Sequence, residues 1–363
     1  MSEFLDMFKS LSKAGLAILF AFFVSGILLL MVGYDPISAY SALFSSSVGS
    51  IRSVSNTLIQ TSPLLFTGIA VAIAFKGKML NVGAEGQYIA GGVTATYLGV
   101  ILRDVNPIIL IPTILILSGL AGALWILVPA LLKVKLGVSE IITTIMFNYI
   151  AIHTMGWLVR GPLKDQGQTA PQSERIVENA FLPNLLPGTR LHIGIFIAVF
   201  LAIIAFVFLY KTYYGYEIRS VGFSPLASKV AGVKVGRTAV LTMLISGFLA
   251  GMGGSVELLG VAHRLYEGFD SGVGYTAIAV AILANCNPLG VILSAWFFGI
   301  LQTGAGAMQR LAGISMVFVN IIQGIVIIFV VAANVEKTQQ DKLGYRIKRW
   351  LSKKDKTISQ EVD

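Results

Sequence analysis

The residues in this chain able to do chemistry are few, and they sit between long apolar runs. The clearest group is Leu80-Asn81-Val82-Gly83-Ala84-Glu85-Gly86-Gln87, one carboxylate, two carboxamides and two glycines. Asn81, Glu85 and Gln87 offer hydrogen bonds to a polar solute, and Glu85 could hold a cation or a proton. A second group opens at Ser139-Glu140, with Asn148 two turns further along the same helical pattern. Neither group is a catalytic set. The chain lacks GxxxxGK[ST], HExxH and GxSxG, and its one Gly-Lys pair, Gly77-Lys78, is followed by Met79. Cys286 stands alone and His153, His192 and His263 are scattered, so neither a disulfide nor a metal site is expected.

The surrounding elements must be membrane helices. Of 363 residues 55% are hydrophobic and 12% charged, where a soluble domain carries about 25% charged residues; the mean hydropathy is +0.80. Several windows reach the roughly 20 apolar residues that cross a hydrocarbon core. They are continuously apolar, which excludes the alternating strands of a barrel. The sequence therefore predicts an all-α polytopic membrane protein with ten spans, near residues 13–33, 56–75, 82–102, 107–132, 138–159, 191–210, 238–259, 272–285, 289–309 and 314–333. The second carries Thr57, Gln60, Thr61, Ser62 and Pro63, and the eighth is short, so these two are candidates for broken or re-entrant helices. The first run exceeds a signal-peptide core and shows no Ala-x-Ala site, which reads as a retained span.

With both termini inside, 19 of the 27 Lys and Arg residues fall on the cytoplasmic side, as the positive-inside rule demands. The net charge of +9 then calls for no nucleic acid. The division expected is a transmembrane domain over 1–335, with an outer loop at 160–190 and a cytoplasmic loop at 211–237, followed by a basic tail at 336–363 that lies against anionic lipid or in solvent.

A carboxylate inside a bilayer costs about 2.5 to 3.5 kcal/mol on insertion scales, so Glu85 needs a partner. Two readings remain open. Asn81 caps the third span and Glu85 lies in its first turn, held by the helix dipole with Lys76 and Lys78; or Glu85 meets a solute. Glu140 reads as a first-turn acid behind a Ser139 cap, and Asn148 as an interhelical or pathway amide. Gly83, Gly86 and the pair Gly247-x-x-x-Gly251 read as close-packing faces. In the 211–237 loop, Ser224-Pro225 predicts a helix start and Gly232 a stop, giving a two-turn helix. TGIAVAIA from Thr67 and TAIAVAIL from Thr276 repeat at an offset of 209, each before a polar break, the pattern of a duplicated transporter half.

Four segments carry a resemblance: TSPLLFTGIAVAIAFKGKMLNVGAEGQ (61–87), SEIITTIMFNYIA (139–151), GYEIRSVGFSPLASKVAGVKV (215–235) and GYTAIAVAILANCNPLG (274–290). Taken in order, they resemble the permease subunits of ABC importers for branched-chain amino acids and simple sugars, in the nucleoside-type branch. The resemblance implies half of an alternating-access pathway in a bacterial inner membrane. It implies that ATP is bound by a separate ATPase, often with two fused modules, so the chain needs no cofactor of its own. Further implied partners are an extracellular substrate-binding lipoprotein docking on the outer loop and a second, shorter permease. Residues 216–232 would be the segment that couples to the ATPase, with Tyr216, Glu217, Arg219, Ser224 and Lys229 as its expected contacts. Asn81, Glu85, Gln87 and Asn148 would line or support the solute pathway. The alternatives are a ribose- or galactose-type ABC permease, and a secondary transporter or channel using Glu85 or Glu140 as an ion site.

Overall fold

The computed structural model describes residues 2–269, 272–315, 318–329 and 332. The basic tail expected at 336–363 lies outside the described residues, as does the end of the tenth apolar run. The described part is helical and without a strand, its only β-features being three isolated bridges. It divides into two compact units, one of Met1–Pro36 with Ser315–Asp363 and one of Ile37–Ile314. The first contains α1 (Ser2–Val32) and a last helix, α13 (Phe318–Phe329). Phe20 meets Phe329 edge-on at 5.0 Å, and Tyr34 meets Phe318 at 5.8 Å.

The second unit runs through α2 (Pro36–Val48), α3 (Ile51–Lys76), α4 (Ala84–Ile101), α5 (Pro107–Leu136), α6 (Glu140–Arg160), α7 (Gly194–Lys211), α8 (Tyr213–Phe223), α9 (Pro225–Val230), α10 (Val235–Glu257), α11 (Val273–Leu283) and α12 (Pro288–Ala312). Among the described residues six helices are long and apolar enough to cross a membrane: α3, α5, α6, α7, α12, and α10 with the turn that continues it to Ala262. Their outer faces suit lipid. On α7, Phe196, Phe200, Ile203 and Val207 form an exposed apolar stripe at helical spacing.

α3 is the second expected span, and it is one unbroken helix despite Pro63. Residues 61–74 are buried on every face, and the Thr67 hydroxyl donates to the Pro63 carbonyl at 2.7 Å, so that carbonyl is paired inside the protein, whereas the neighbouring Ser62 hydroxyl has no partner among the described residues. α11, the eighth, is the short one: 11 residues rise only about 16 Å, half a hydrocarbon core. α2 occupies a stretch that the sequence reading left as a loop, started by Pro36 at its first position.

α10 is the central helix, packed on α3, α4 and α5. Glycines permit that approach. A methyl group on Gly247 would meet the Gly122 carbonyl, and one on Gly251 the Ser118 carbonyl, at 2.5 and 2.4 Å; Gly254 lies against the Tyr88 carbonyl of α4 more closely still. The two repeats also touch, since Gly68 of the first faces Val280 of the second. Both end alike. Met79 donates back to Ala74 and Cys286 back to Ala281, each after a residue at positive φ, Lys78 (58°) and Asn285 (52°), which is the Schellman way of closing a helix.

Substituting Gly254 by Val should cost at least about 3 kcal/mol, because backbone and not a flexible side chain stands in the way. Gly156→Val, with nothing within 4 Å, should stay near wild type in the same thermal-unfolding assay; equal behaviour of the two would refute this account of the α4–α10 crossing.

Candidate functional site

The break between α3 and α4 folds into a knot of buried polar groups. Asn81 and Gln87 are fully buried and pair reciprocally: Asn81 Nδ2 donates to Gln87 Oε1 at 3.0 Å, and Gln87 Nε2 donates to Asn81 Oδ1 at 2.9 Å. Asn81 Nδ2 also donates to Ser246 Oγ of α10 at 2.8 Å, and that hydroxyl donates to the Ala70 carbonyl of α3 at 2.7 Å. Asn81 Oδ1 accepts the Gly83 N–H at 2.9 Å. Asn81 therefore tightens the turn before α4 instead of capping its first turn.

The cap of α4 comes from another helix. Asn148 of α6 accepts the Gly86 N–H at 2.8 Å, while its amide donates to the Val82 carbonyl at 3.0 Å and to the Tyr275 hydroxyl at 3.1 Å. The first-turn N–H groups of a helix have no partner within it. Here a carboxamide two helices away in sequence supplies one.

Glu85, 1% exposed, reaches a second helix start. Its carboxylate accepts the Gly272 N–H at 3.0 Å and the Gly274 N–H at 2.5 Å, the first N–H groups of α11. Gly274 has no side chain for a reason: a methyl group there would collide with the Glu85 nitrogen. So backbone amides hold this charge. Lys76 and Lys78, expected to do so, take part in none of the ion pairs among the described residues. Glu140 lies in the first turn of α6 as expected, but the cap behind it does not form. The Ser139 hydroxyl makes no capping bond, and Glu140 is paired with Lys133 of α5 at 2.7 Å.

The 211–237 loop holds two helices instead of one. α9 begins as predicted, with Ser224 Oγ accepting the Ala227 N–H at 3.3 Å and Pro225 next, and it stops before Gly232 at φ +88°. α8 precedes it, capped by Thr212, whose hydroxyl accepts the Gly215 N–H at 3.1 Å. Among the expected contact residues, Arg219 is spent inside: it donates to the Leu209 carbonyl at 2.8 Å and covers the Tyr210 ring, closing α7. Ser224 is the cap, and Glu217 is half-buried. Tyr216 and Lys229 are exposed. The sequence reading missed the apolar tip, where Phe223, Leu226 and Val230 are 91%, 75% and 85% exposed. The signal was present: three large apolar residues in a positively charged loop. The tip is firmly seated, since Gly222 abuts the Lys76 carbonyl at the end of α3 and Ser220 and Ser228 share a hydrogen bond of 2.9 Å.

On the other side of the helices, residues 161–193 fold onto 259–267. Leu182 N–H donates to the Leu259 carbonyl at 3.1 Å, Ile176 to His263 at 3.0 Å and Ser173 to Leu265 at 2.8 Å. Arg160 pairs with Glu267. His192 is buried between Gly194 and Gly260, accepts the Gly194 N–H at Nδ1 and has no partner at Nε2 among the described residues. Burial, then the neighbouring His263, pushes its imidazole down to about 4.

Residues 53–331 match the permease component of branched-chain amino acid transport systems, and the chain belongs to this family of membrane-embedded transport subunits. It is 36% identical to the guanosine ABC transporter permease protein NupP of Bacillus subtilis, over 90% of this chain and 95% of that one. It is 34% identical to the nucleoside ABC transporter permease protein NupB of Lactococcus lactis, over 87% and 89%. The glucose ABC transporter permease protein TsgB13 of Haloferax volcanii is 31% identical, over 89% and 87%. No solved structure matches the chain significantly.

Two outcomes test this geometry. Glu85→Gln turns an N–H donor toward amide donors and should lower stability by about 1–3 kcal/mol without altering solute preference; a changed preference at unchanged stability would show that Glu85 meets solute. His192 takes up its proton in the unfolded chain near 6.5 and in the native one only at about 4. Native stability should thus fall as pH drops through 6.5 and level off below 4, by about 3 kcal/mol in all, and His192→Gln should flatten that part of the thermal-unfolding profile.

Proposed function

We propose that this chain is one of two permease subunits of an ATP-driven importer for nucleosides in a bacterial cytoplasmic membrane. The relatives named for guanosine and nucleoside transport support the solute class. A separate ABC ATPase, often of two fused modules, supplies the energy, an extracellular substrate-binding lipoprotein delivers the solute, and a second, shorter permease completes the pathway. ATP binds the ATPase and not this chain.

The observation that carries the reading is the α8–α9 tip. Exposed apolar side chains at the end of a membrane protein call for a partner surface, and Phe223, Leu226 and Val230, flanked by Tyr216 and Lys229, offer a projecting knob to a groove on the ATPase. The knob is tied to α3 through Gly222 and to α7 through Arg219, so a push on it moves whole helices. In this arrangement the ten membrane helices are α1, α3 to α7, and α10 to α13, α11 being a half-length one, with both termini cytoplasmic. Residues 161–193 face outward and receive the binding protein.

A gradient-driven transporter using Glu85 or Glu140 fits less well, because Glu85 is taken by α11 amides and Glu140 by Lys133. A sugar permease is the closer alternative, given the glucose relative.

Replacing Phe223 and Leu226 together by Asp should abolish uptake and solute-stimulated ATP hydrolysis in the assembled importer while the chain still inserts. Undiminished coupled hydrolysis would overturn the docking assignment. In a Cys286→Ser background, Lys229→Cys should be labelled by an impermeant thiol reagent only from the cytoplasm and Lys164→Cys only from outside; the reverse pattern would invert the topology.

A further inference from the structure

One acidic residue of the spanning helices serves neither the polar knot nor the coupling tip. Glu257 ends the regular part of α10, after which the backbone widens into a π-turn over Leu258–Ala262. Such turns within helices occur frequently at functional sites. Glu257 is half-buried. Among the described residues its carboxylate makes no ion pair and no hydrogen bond. A carboxylate left open in a membrane interior is costly, and buried polar groups are normally completed by a partner. Glu257 therefore faces water or a ligand.

Its surroundings have a definite chemistry. Gly254, one turn before Glu257 on the same face of α10, abuts the Tyr88 carbonyl of α4, so Glu257 lies on the side of α10 that meets Tyr88. The Tyr88 ring stacks on Phe269 with centroids 5.2 Å apart, and Tyr266 stands edge-on to Phe269 at 6.1 Å. Tyr88 and Phe269 are buried, whereas Tyr266 is 42% exposed. A carboxylate accepts paired O–H or N–H donors, and an exposed ring held edge-on against Phe269 offers a flat apolar face. A nucleoside carries both complements, a vicinal diol with base N–H groups and a planar base.

The π-turn is also gripped from outside. Gly260 fits against the His192 ring, and Leu182 N–H is bonded to the Leu259 carbonyl. The 161–193 loop thus fixes the backbone that carries Glu257.

We propose that Glu257 is the solute-binding carboxylate of the pathway, accepting hydrogen bonds from a nucleoside whose base rests on Tyr266. This rests on the nucleoside reading above, and the test separates the two. In the complete importer reconstituted in vesicles, wild type should take up guanosine in preference to glucose. Glu257→Gln should raise the KM for guanosine about 10- to 100-fold, the worth of one or two hydrogen bonds to a charged group, with a smaller change in maximal rate. Glucose uptake without guanosine uptake in the wild type would overturn the nucleoside reading and this site with it. Guanosine uptake with an unchanged KM in Glu257→Gln would overturn the site alone. If that variant does not assemble, Glu257→Cys in the Cys286→Ser background, labelled in membranes by a methanethiosulfonate reagent, decides the matter: guanosine should slow labelling, and a rate indifferent to guanosine would refute the contact.

Discussion

Two helix starts share one carboxylate. α4 and α11 begin against each other, Gly274 touching the first turn of α4, and each start carries about half a positive charge in its unpaired N–H groups. Left alone, the two ends would repel and their amides would lack partners in a medium that supplies none. Glu85 belongs to the first turn of one helix and accepts the first amides of the other, so its single negative charge offsets both ends. The break at 77–83 is tolerable because its buried carboxamides are paired: Asn81 with Gln87, Ser246 and Gly83, and Asn148 with Gly86, Val82 and Tyr275.

This knot joins α3, α4, α6, α10 and α11 near the middle of the fold. Such fully paired networks are stiff, since loosening one member leaves a buried group unsatisfied. The α8–α9 tip and the 161–193 loop folded onto the π-turn lie at either end of it, outside this network. A stiff centre between two outlying ends suits a transport subunit that passes motion from one end to the other, because packed helices move as bodies.

The sequence showed the membrane class, the places of the long helices and the α9 start, because long apolar runs and a Ser-Pro pair act locally, but not where α1 and α3 begin. It also marked Asn81, Glu85, Gln87 and Asn148 as unusual. It could not show what they bind, since Glu85 meets α11 across 187 residues and Asn148 caps α4 across 62; such pairings are made by tertiary packing. A helix reduced to Val273–Leu283 with glycines at 272 and 274 was the available hint that an anion sits at its start. Glu257 was passed over because it lies within an otherwise apolar span, where an isolated acid stands out less than a polar motif. α8 was missed because its glycines and polar residues read as loop, although its Ile218 and Val221 are buried.

The central claim is that the knot stays closed while the ends move. Amide hydrogen exchange of the assembled importer, read with and without ATP, tests it directly. Amides at 83–87 and 272–274 should stay strongly protected in both states, with changes confined to 213–232 and 257–269. Loss of protection at 83–87 on adding ATP would contradict the account, because the knot would then be part of the moving gate.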